Sequence, residues 1–125
     1  MPSMAKHSVR PIMVSALVTA PPEEVFSFVS DTRNDPLWCP NVERVELVGG
    51  EGIAVGTRLR FHQHLDPPGR ERIHFDVDLE VIGLGENTIT WLASDKFQTR
   101  EITLTVEPEG AGSKVTQVTP GWWLR

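Results

Sequence analysis

No tyrosine occurs in the 125-residue chain, and Cys39 is its single cysteine. One cysteine excludes an internal disulfide bond, so we expect a reducing compartment, the cytoplasm. Twelve lysines and arginines against 17 aspartates and glutamates leave a net charge of −5, which argues against binding to nucleic acid phosphates. No apolar run approaches the roughly 20 residues that cross a bilayer as a helix. We therefore expect neither nucleic acid nor a membrane span among the interactions of this protein.

The composition is typical of one globular domain. Hydrophobic residues make up 39% of the chain and charged residues 23%, which are ordinary values for such domains. A chain of this length supports a modest hydrophobic core. We assign residues 1–9 to a flexible tail and residues 10–125 to a single domain.

The first third of the chain predicts a strand and two short helices. Residues 11–19 alternate with the period of a strand. Pro22 suits the first position of a helix, which should end near Ser30. A second helical turn is expected just before Pro36. In the first helix, Phe28 belongs to an apolar stripe that should face a sheet.

The rest of the chain consists of alternating segments separated by turn-forming residues. Consecutive strands on such short connections should pair antiparallel. One strand, two short helices and six further strands close most simply as a curved sheet around a hydrophobic hollow, an α+β fold. The six predicted strands are Val42–Val48, Thr57–Leu65, Arg70–Ile82, Thr88–Ala93, Gln98–Glu107 and Lys114–Thr119.

Strand alternation separates an apolar face from a charged one. The apolar set should line the hollow and includes Leu59, Phe61, Phe75, Val77, Leu79, Ile102 and Leu104. Three polar residues, Gln63, Arg100 and Gln117, fall on that same face. A buried polar group needs a partner, a water molecule or a ligand, so these three are the most informative polar positions in the pattern.

The opposite face carries histidines and charged residues. A hairpin loop at residues 67–69 would place Arg60 opposite Asp76 and Arg58 opposite Asp78.

His62 and His64 form an H-x-H pattern on that face, and His74 is expected opposite His62. Three imidazoles can bind zinc, but no fourth ligand or pocket is evident on this charged face. We therefore expect a solvated polar face and no metal site.

The pattern resembles the START-like superfamily, also called SRPBCC or Bet v 1-like, and more closely its bacterial polyketide cyclase/dehydrase branch. The resemblance covers about residues 10–120. The residues that carry it are Ala20–Phe26, Asp31, Trp38, Pro40, Val42, the loop Gly49–Arg58 and the closing hairpin from Val106–Pro108 to Lys114–Thr116.

The resemblance implies a helix-grip fold. In this fold, a seven-stranded antiparallel sheet curls around a long C-terminal helix, with a ligand cavity between them. After the last predicted strand only Pro120–Arg125 remains, so the helix is expected to be missing or only begun, with Trp122, Trp123 and Leu124 as its first turn or as a hydrophobic plug. The chain would then be truncated, closed by another subunit, or open. An uncovered apolar face predicts a homodimer, a partner that covers the sheet, or a marginally stable fold.

The resemblance and the inward face together favour binding of a hydrophobic small molecule of the lipid, polyketide, terpenoid or quinone class, without a cofactor. Trp38 and Trp91 could stack on a ring of the ligand. The predicted ligand-binding residues are Phe28, Trp38, Leu59, Phe61, Gln63, Phe75, Val77, Leu79, Trp91, Arg100, Ile102, Leu104, Gln117 and Trp122.

Two alternatives remain open. The first is a polyketide-type cyclase or dehydratase, with Arg100 as the candidate catalytic residue that stabilises an enolate. Against it, no inward carboxylate is apparent as a general base, and Arg100 could instead pair with Asp95 at the rim of the sheet. Cys39 has no histidine nearby in sequence, so we expect a packed thiol. The second is an interaction protein whose open sheet face binds a partner helix.

Overall fold

The structure is a computed structural model that describes residues 12–96, 98–119 and 122–124, with the backbone alone at 12 and 122–124. The predicted tail, residues 1–9, lies outside the described residues. Within them, all strands pair antiparallel in the order β1-β7-β6-β5-β4-β3-β2, and β8 pairs with β6. The strands are β1 (Ile12–Val18), β2 (Val42–Gly49), β3 (Arg58–Leu65), β4 (Ile73–Leu84), β5 (Thr88–Ser94), β6 (Gln98–Glu109), β7 (Gly112–Thr119) and β8 (Trp122–Leu124).

Two short helices connect β1 to β2, as the sequence pattern predicts. Helix α1 (Pro22–Val29) begins at a proline, whose missing N–H would have no intrahelical partner anyway. It ends where the Ser30 hydroxyl donates to the Phe26 carbonyl oxygen. A 3-10 helix (Thr32–Leu37) follows, capped by the Asp31 carboxylate, which accepts from the backbone N–H of Arg33.

Inward-facing strand residues and α1 form the hydrophobic core. The largest fully buried side chains come from the middle of the sheet and include Val77, Val81, Ile89 and Val106. Val25 on α1 packs into this core, whereas Phe28 is 41% exposed. Val25 and Val29 of the predicted stripe and the adjacent Phe26 pack against the core, whereas Phe28 borders a groove that it shares with Val18 of β1.

The β3–β4 hairpin has a register two residues away from the predicted one. Arg60 lies opposite Asp78 rather than Asp76, and Arg58 lies opposite Glu80 rather than Asp78. The reason is a longer connection, since β3 ends at Leu65 and β4 begins only at Ile73. A shift of two residues keeps every side chain on its predicted face, so the composition of the apolar and charged faces is unchanged.

The same shift corrects the histidine pairing. His74 lies opposite His64, not His62.

The C-terminal residues form a strand. Residues 122–124 pair with Gln98–Arg100 at the start of β6, so the predicted first helical turn is wrong. β7 pairs with β6 only from Thr103 onward. The residues of β6 that precede Thr103 therefore have no partner from β7. Unpaired strand groups favour a further strand there. Within the described residues no helix follows β7, and no helix is long and apolar enough to cross a membrane.

Candidate ligand-binding cavity

A cavity of about 300 Å³ lies between the concave sheet face and the 3-10 helix. We call it the inner cavity. Sequence reasoning had predicted ten of its wall residues. These are Trp38, Phe61, Gln63, Val77, Leu79, Trp91, Arg100, Ile102, Leu104 and Gln117. The other wall residues are Val29, Thr32, Asp35, Cys39, Val42, Ala93 and Thr119.

Four predicted ligand-binding residues do not line the inner cavity. Leu59 is buried in the core, and Phe75 packs partly buried against it. Phe28 borders a separate groove, and Trp122 has its side chain outside the described part of the chain.

A larger groove of about 860 Å³ lies beside the inner cavity, between β1 and α1. We call it the outer groove. Its walls are mostly apolar and contain Ala16, Val18, Ala20, Glu24, Val25, Ser27, Phe28, Val29, Asp31, Asn34, Trp38 and Val115. Val29 and Trp38 border both spaces. The Trp38 side chain, 45% exposed, therefore marks the boundary between them.

Three predicted polar residues meet in the inner cavity. Gln63 from β3, Arg100 from β6 and Gln117 from β7 all contribute to its wall. Arg100 lies in the cavity wall and also forms an ion pair with Asp95, whose Oδ2 is 3.6 Å from its Nη1. That separation is too long for a hydrogen bond, and Nη1 has no hydrogen-bond partner among the described residues.

Asp35 is the ionisable carboxyl group in the described wall that the sequence analysis does not predict. The expectation that no carboxylate points inward is wrong, since this side chain is 9% exposed and belongs to the wall. Burial raises its pKa to about 7, and the charge of Asp31 adds to the shift. Its Oδ1 has no hydrogen-bond partner within the described part of the chain. The sequence at Asp35 indicates a turn before Pro36. A turn signal does not predict which residues will bury the Asp35 side chain.

The pKa of the neighbouring Asp31 is shifted in the opposite direction. Arg33 donates from Nε and Nη2 to its two carboxylate oxygens. These hydrogen bonds hold the pKa of Asp31 below its usual value. At neutral pH, a charged Asp31 therefore stands near a partly protonated Asp35.

Cys39 borders the inner cavity as a thiol. Burial raises its pKa to about 11, with a further contribution from the charge of Asp35. A thiolate is the nucleophilic form, so the position is poorly suited to nucleophilic catalysis at neutral pH.

Trp91 contributes a second unused hydrogen-bond donor. Its side chain is 4% exposed, and its indole Nε1 has no hydrogen-bond partner among the described residues. Buried indole N–H groups usually find an acceptor. The inner cavity is the space in which a ligand could supply one.

The outer-face histidines interact with carboxylates. His62 contacts Glu46 and Asp76, and His64 contacts Glu43. Within the described residues, no three histidine, cysteine or acidic side chains form a group suited to a metal ion. These side chains form a network of hydrogen bonds on the exposed side of the sheet.

A family model described as "Polyketide cyclase / dehydrase and lipid transport" matches residues 12–124. No curated protein sequence matches the chain.

Several solved structures share the fold. A START superfamily protein from Mycobacterium smegmatis is 21% identical, with a TM-score of 0.74 over 94% of this chain and 79% of that one. Major latex-like protein 151 from Panax ginseng is 13% identical, with a TM-score of 0.75 over 94% and 80%. The Zhui aromatase/cyclase from a Streptomyces species is 15% identical, with a TM-score of 0.70 over 95% and 70%. At these identities the likeness shows the fold alone, the helix-grip arrangement of the START-like superfamily.

Proposed function

We propose, from the premise that this chain belongs to the polyketide cyclase/dehydrase and lipid transport family, that its inner cavity binds a hydrophobic small molecule. The ligand classes that we consider are lipid, polyketide, terpenoid and quinone. The observation that carries the proposal is a cavity with apolar walls and a few convergent polar side chains. This combination is typical of small-molecule sites, and a volume of about 300 Å³ is at the lower end of their range.

The walls suggest how affinity and orientation would arise. Phe61, Leu79 and Leu104 offer apolar surface that a ligand would bury. Gln63 and Gln117 would then fix its orientation through hydrogen bonds. The adjoining outer groove gives room for a longer apolar tail that passes Trp38.

A cavity-filling variant tests this proposal. Ala93 lies in the wall and is fully buried, so Ala93→Leu should occupy part of the space and weaken binding. Ala54→Leu, on an exposed loop, is the matched control. Native mass spectrometry of the purified chain, followed by analysis of released small molecules, should show a bound apolar compound in the control and less in Ala93→Leu. Equal ligand content in both variants, or none in either, would contradict the proposal.

A polyketide-type cyclase or dehydratase is the second candidate. The observation that favours it is the presence of Asp35 in the same cavity wall as Arg100. A carboxyl group whose pKa is about 7 suits a general base at neutral pH. Arg100 would stabilise the enolate oxygen that forms when Asp35 removes a proton beside a carbonyl group.

Deuterium exchange separates the enzyme from the carrier. The protein would be incubated with 2-tetralone in D₂O, and loss of the α-proton signals followed by NMR. An enzyme should accelerate exchange, and Asp35→Asn should reduce that acceleration by a factor of roughly 100 or more. Binding of 2-tetralone without accelerated exchange would favour the carrier. In that case Arg100→Ala should weaken binding only.

The homodimer and the cytoplasmic location remain predictions. The outer groove leaves Phe28 and Trp38 partly exposed, and a second copy of this chain would cover them. Sedimentation equilibrium should then show a concentration-dependent dimer that Phe28→Glu weakens. A monomer at all concentrations would contradict the homodimer. Cell fractionation tests the location.

A further inference from the structure

We propose that the inner cavity is built for an uncharged ligand that carries a hydroxyl or carbonyl oxygen on an apolar body, and that it disfavours both plain hydrocarbons and carboxylates. The inference rests on the proposed binding function and narrows its ligand class.

The first observation is a pair of unused donors on neighbouring strands. Nε1 of Trp91 and Nη1 of Arg100 are buried and have no hydrogen-bond partner among the described residues. In the β5–β6 register, Trp91 lies opposite Ile102 and Ala93 lies opposite Arg100. The two donor side chains are therefore diagonal neighbours on the concave face, close enough for long side chains to reach one shared atom. A single ligand oxygen could accept from both, whereas a hydrocarbon would leave both unsatisfied.

The second observation is the carboxyl group across the cavity. Oδ1 of Asp35 is also buried without a partner in the described part of the chain. Within the elements packed around it, the charged or titratable groups that face it are Asp31, Cys39 and Arg100.

The elements that pack against the 3-10 helix add no further charge on that side. β2 presents Val42 and Val45 to the core, and α1 presents Val25 and Val29. Burial is accordingly the main reason that the pKa of Asp35 rises to about 7. A protonated carboxyl group donates a hydrogen bond to a ligand oxygen.

The charged and titratable groups around the inner cavity disfavour a carboxylate ligand. The positive charge of Arg100 is already balanced by the Asp95 carboxylate 3.6 Å away, although that distance leaves its Nη1 without a hydrogen bond. An anion in the cavity would lose its hydration in a mostly apolar site at any pH, and above pH 7 it would also lie near an ionised Asp35. A neutral oxygen satisfies the donors and leaves Asp35 protonated.

Binding should therefore depend on pH. A ligand that displaces water from the cavity desolvates Asp35 further and raises its pKa, so binding is linked to proton uptake. Affinity for a neutral ligand should be constant well below pH 7 and fall as the pH rises above the pKa of about 7 in the free protein.

Three two-ring probes test the ligand class. Naphthalene, 2-naphthol and 2-naphthoic acid share one apolar body and differ in the polar group. Equilibrium dialysis of the full chain at pH 6 should give a dissociation constant for 2-naphthol roughly tenfold lower than for either other probe. Trp91→Phe removes the indole N–H and keeps an aromatic ring, and it should reduce the preference over naphthalene to less than about threefold.

Asp35→Asn tests the carboxyl group. It should abolish the weakening of 2-naphthol binding between pH 6 and pH 8. Glu80→Gln, on the exposed face of β4, is the control that should keep it.

The outcomes separate this inference from the proposed function. If naphthalene and 2-naphthol bind equally well to the unmodified chain, or the naphthoate binds most tightly, the ligand class is wrong while the binding function stands. If no probe binds, the binding function fails and the ligand class fails with it. The comparison of probes needs no variant, so poor folding of Trp91→Phe would leave the test intact.

Discussion

Asp35 shows how strongly packing alters one side chain. In the unfolded chain its pKa should be near the ordinary value of 3.8, whereas burial beneath the sheet raises it to about 7. The folded protein thus binds a proton at Asp35 more tightly than the unfolded chain does. This difference couples folding to pH.

Asp35→Asn is expected to make the protein more stable at alkaline pH. The contribution of Asp35 to the free energy of unfolding is greatest below about pH 4, falls as the pH rises to about 7 and is constant above. The shift corresponds to a penalty on the order of 4 kcal/mol above pH 7. Urea unfolding should show Asp35→Asn more stable than the unmodified chain at pH 8 and similar at pH 4. The exposed Asp78→Asn is the control, and identical pH profiles for Asp35→Asn and the unmodified chain would refute the prediction.

Cys39 should react slowly with alkylating reagents. Its pKa rises from 9.0 to about 11, so at pH 8 its thiolate fraction is about 100-fold smaller than that of an ordinary thiol. Iodoacetamide should modify the folded protein roughly 100-fold more slowly than the urea-unfolded chain. Asp35→Asn should raise the folded rate modestly because it removes a negative charge. Equal rates for folded and unfolded chains would mean that the thiol is not shielded.

The β3–β4 hairpin explains which features of an element the local pattern can predict. Alternation assigned Leu59, Phe61 and Val77 correctly to the inward face, because the side-chain period of a strand is a local property. Alternation could not assign the partner of Arg60, because the pairing of two strands depends on the number of residues in the loop that connects them. The connection from Leu65 to Ile73 is longer than the predicted loop. An error of two residues in the register left the faces unchanged but changed the partner in both predicted ion pairs.

Two glycines at strand positions should differ in their tolerance of alanine. A Cβ at Gly112 would clash with the carbonyl oxygen of Val18, where β7 begins close to the end of β1. A Cβ at Gly83 would meet Thr90 at an ordinary 3.5 Å. We expect Gly112→Ala to lower the free energy of unfolding by about 2 kcal/mol or more, and Gly83→Ala to change it by less than about 1 kcal/mol. Denaturant unfolding measures both, and equal effects would show that β1 and β7 can separate without cost.

The molecule concentrates its stability in the concave side of one sheet. Core residues come from β2 through β6 and from α1, whereas the outer side carries ion pairs such as Arg60–Asp78 between exposed groups. Exposed pairs of this kind contribute about 0–1 kcal/mol each. Substitutions on the two sides of the sheet should therefore differ in cost.

Ile89 and Ile82 give a matched test of that difference. Ile89 is fully buried and borders neither the inner cavity nor the outer groove, whereas Ile82 is 38% exposed. Ile89→Ala should lower the free energy of unfolding by about 2–5 kcal/mol, and Ile82→Ala by less than about 1 kcal/mol. Thermal and urea unfolding provide the measurement. Similar losses in both variants would indicate that the outer side is covered, for example by a second copy.

Local patterns were sufficient to predict the curved antiparallel sheet with two short helices and the inward position of Gln63, Arg100 and Gln117. Strand period, helix starts and turn residues act over a few neighbouring positions, so they can be read along the chain. The resemblance to the START-like superfamily rested on the same short-range features.

Tertiary contacts decided the chemistry of the cavity. Asp35 became a buried carboxyl group, Trp91 and Arg100 became unused donors, and residues 122–124 became a strand on β6. Each of these outcomes depends on which distant groups lie within a few ångströms and on how much water they exclude. A shifted pKa, an unsatisfied hydrogen-bond donor and an unpaired strand edge are set by the groups that surround a residue in space. The order of residues along the chain does not reveal which groups those are.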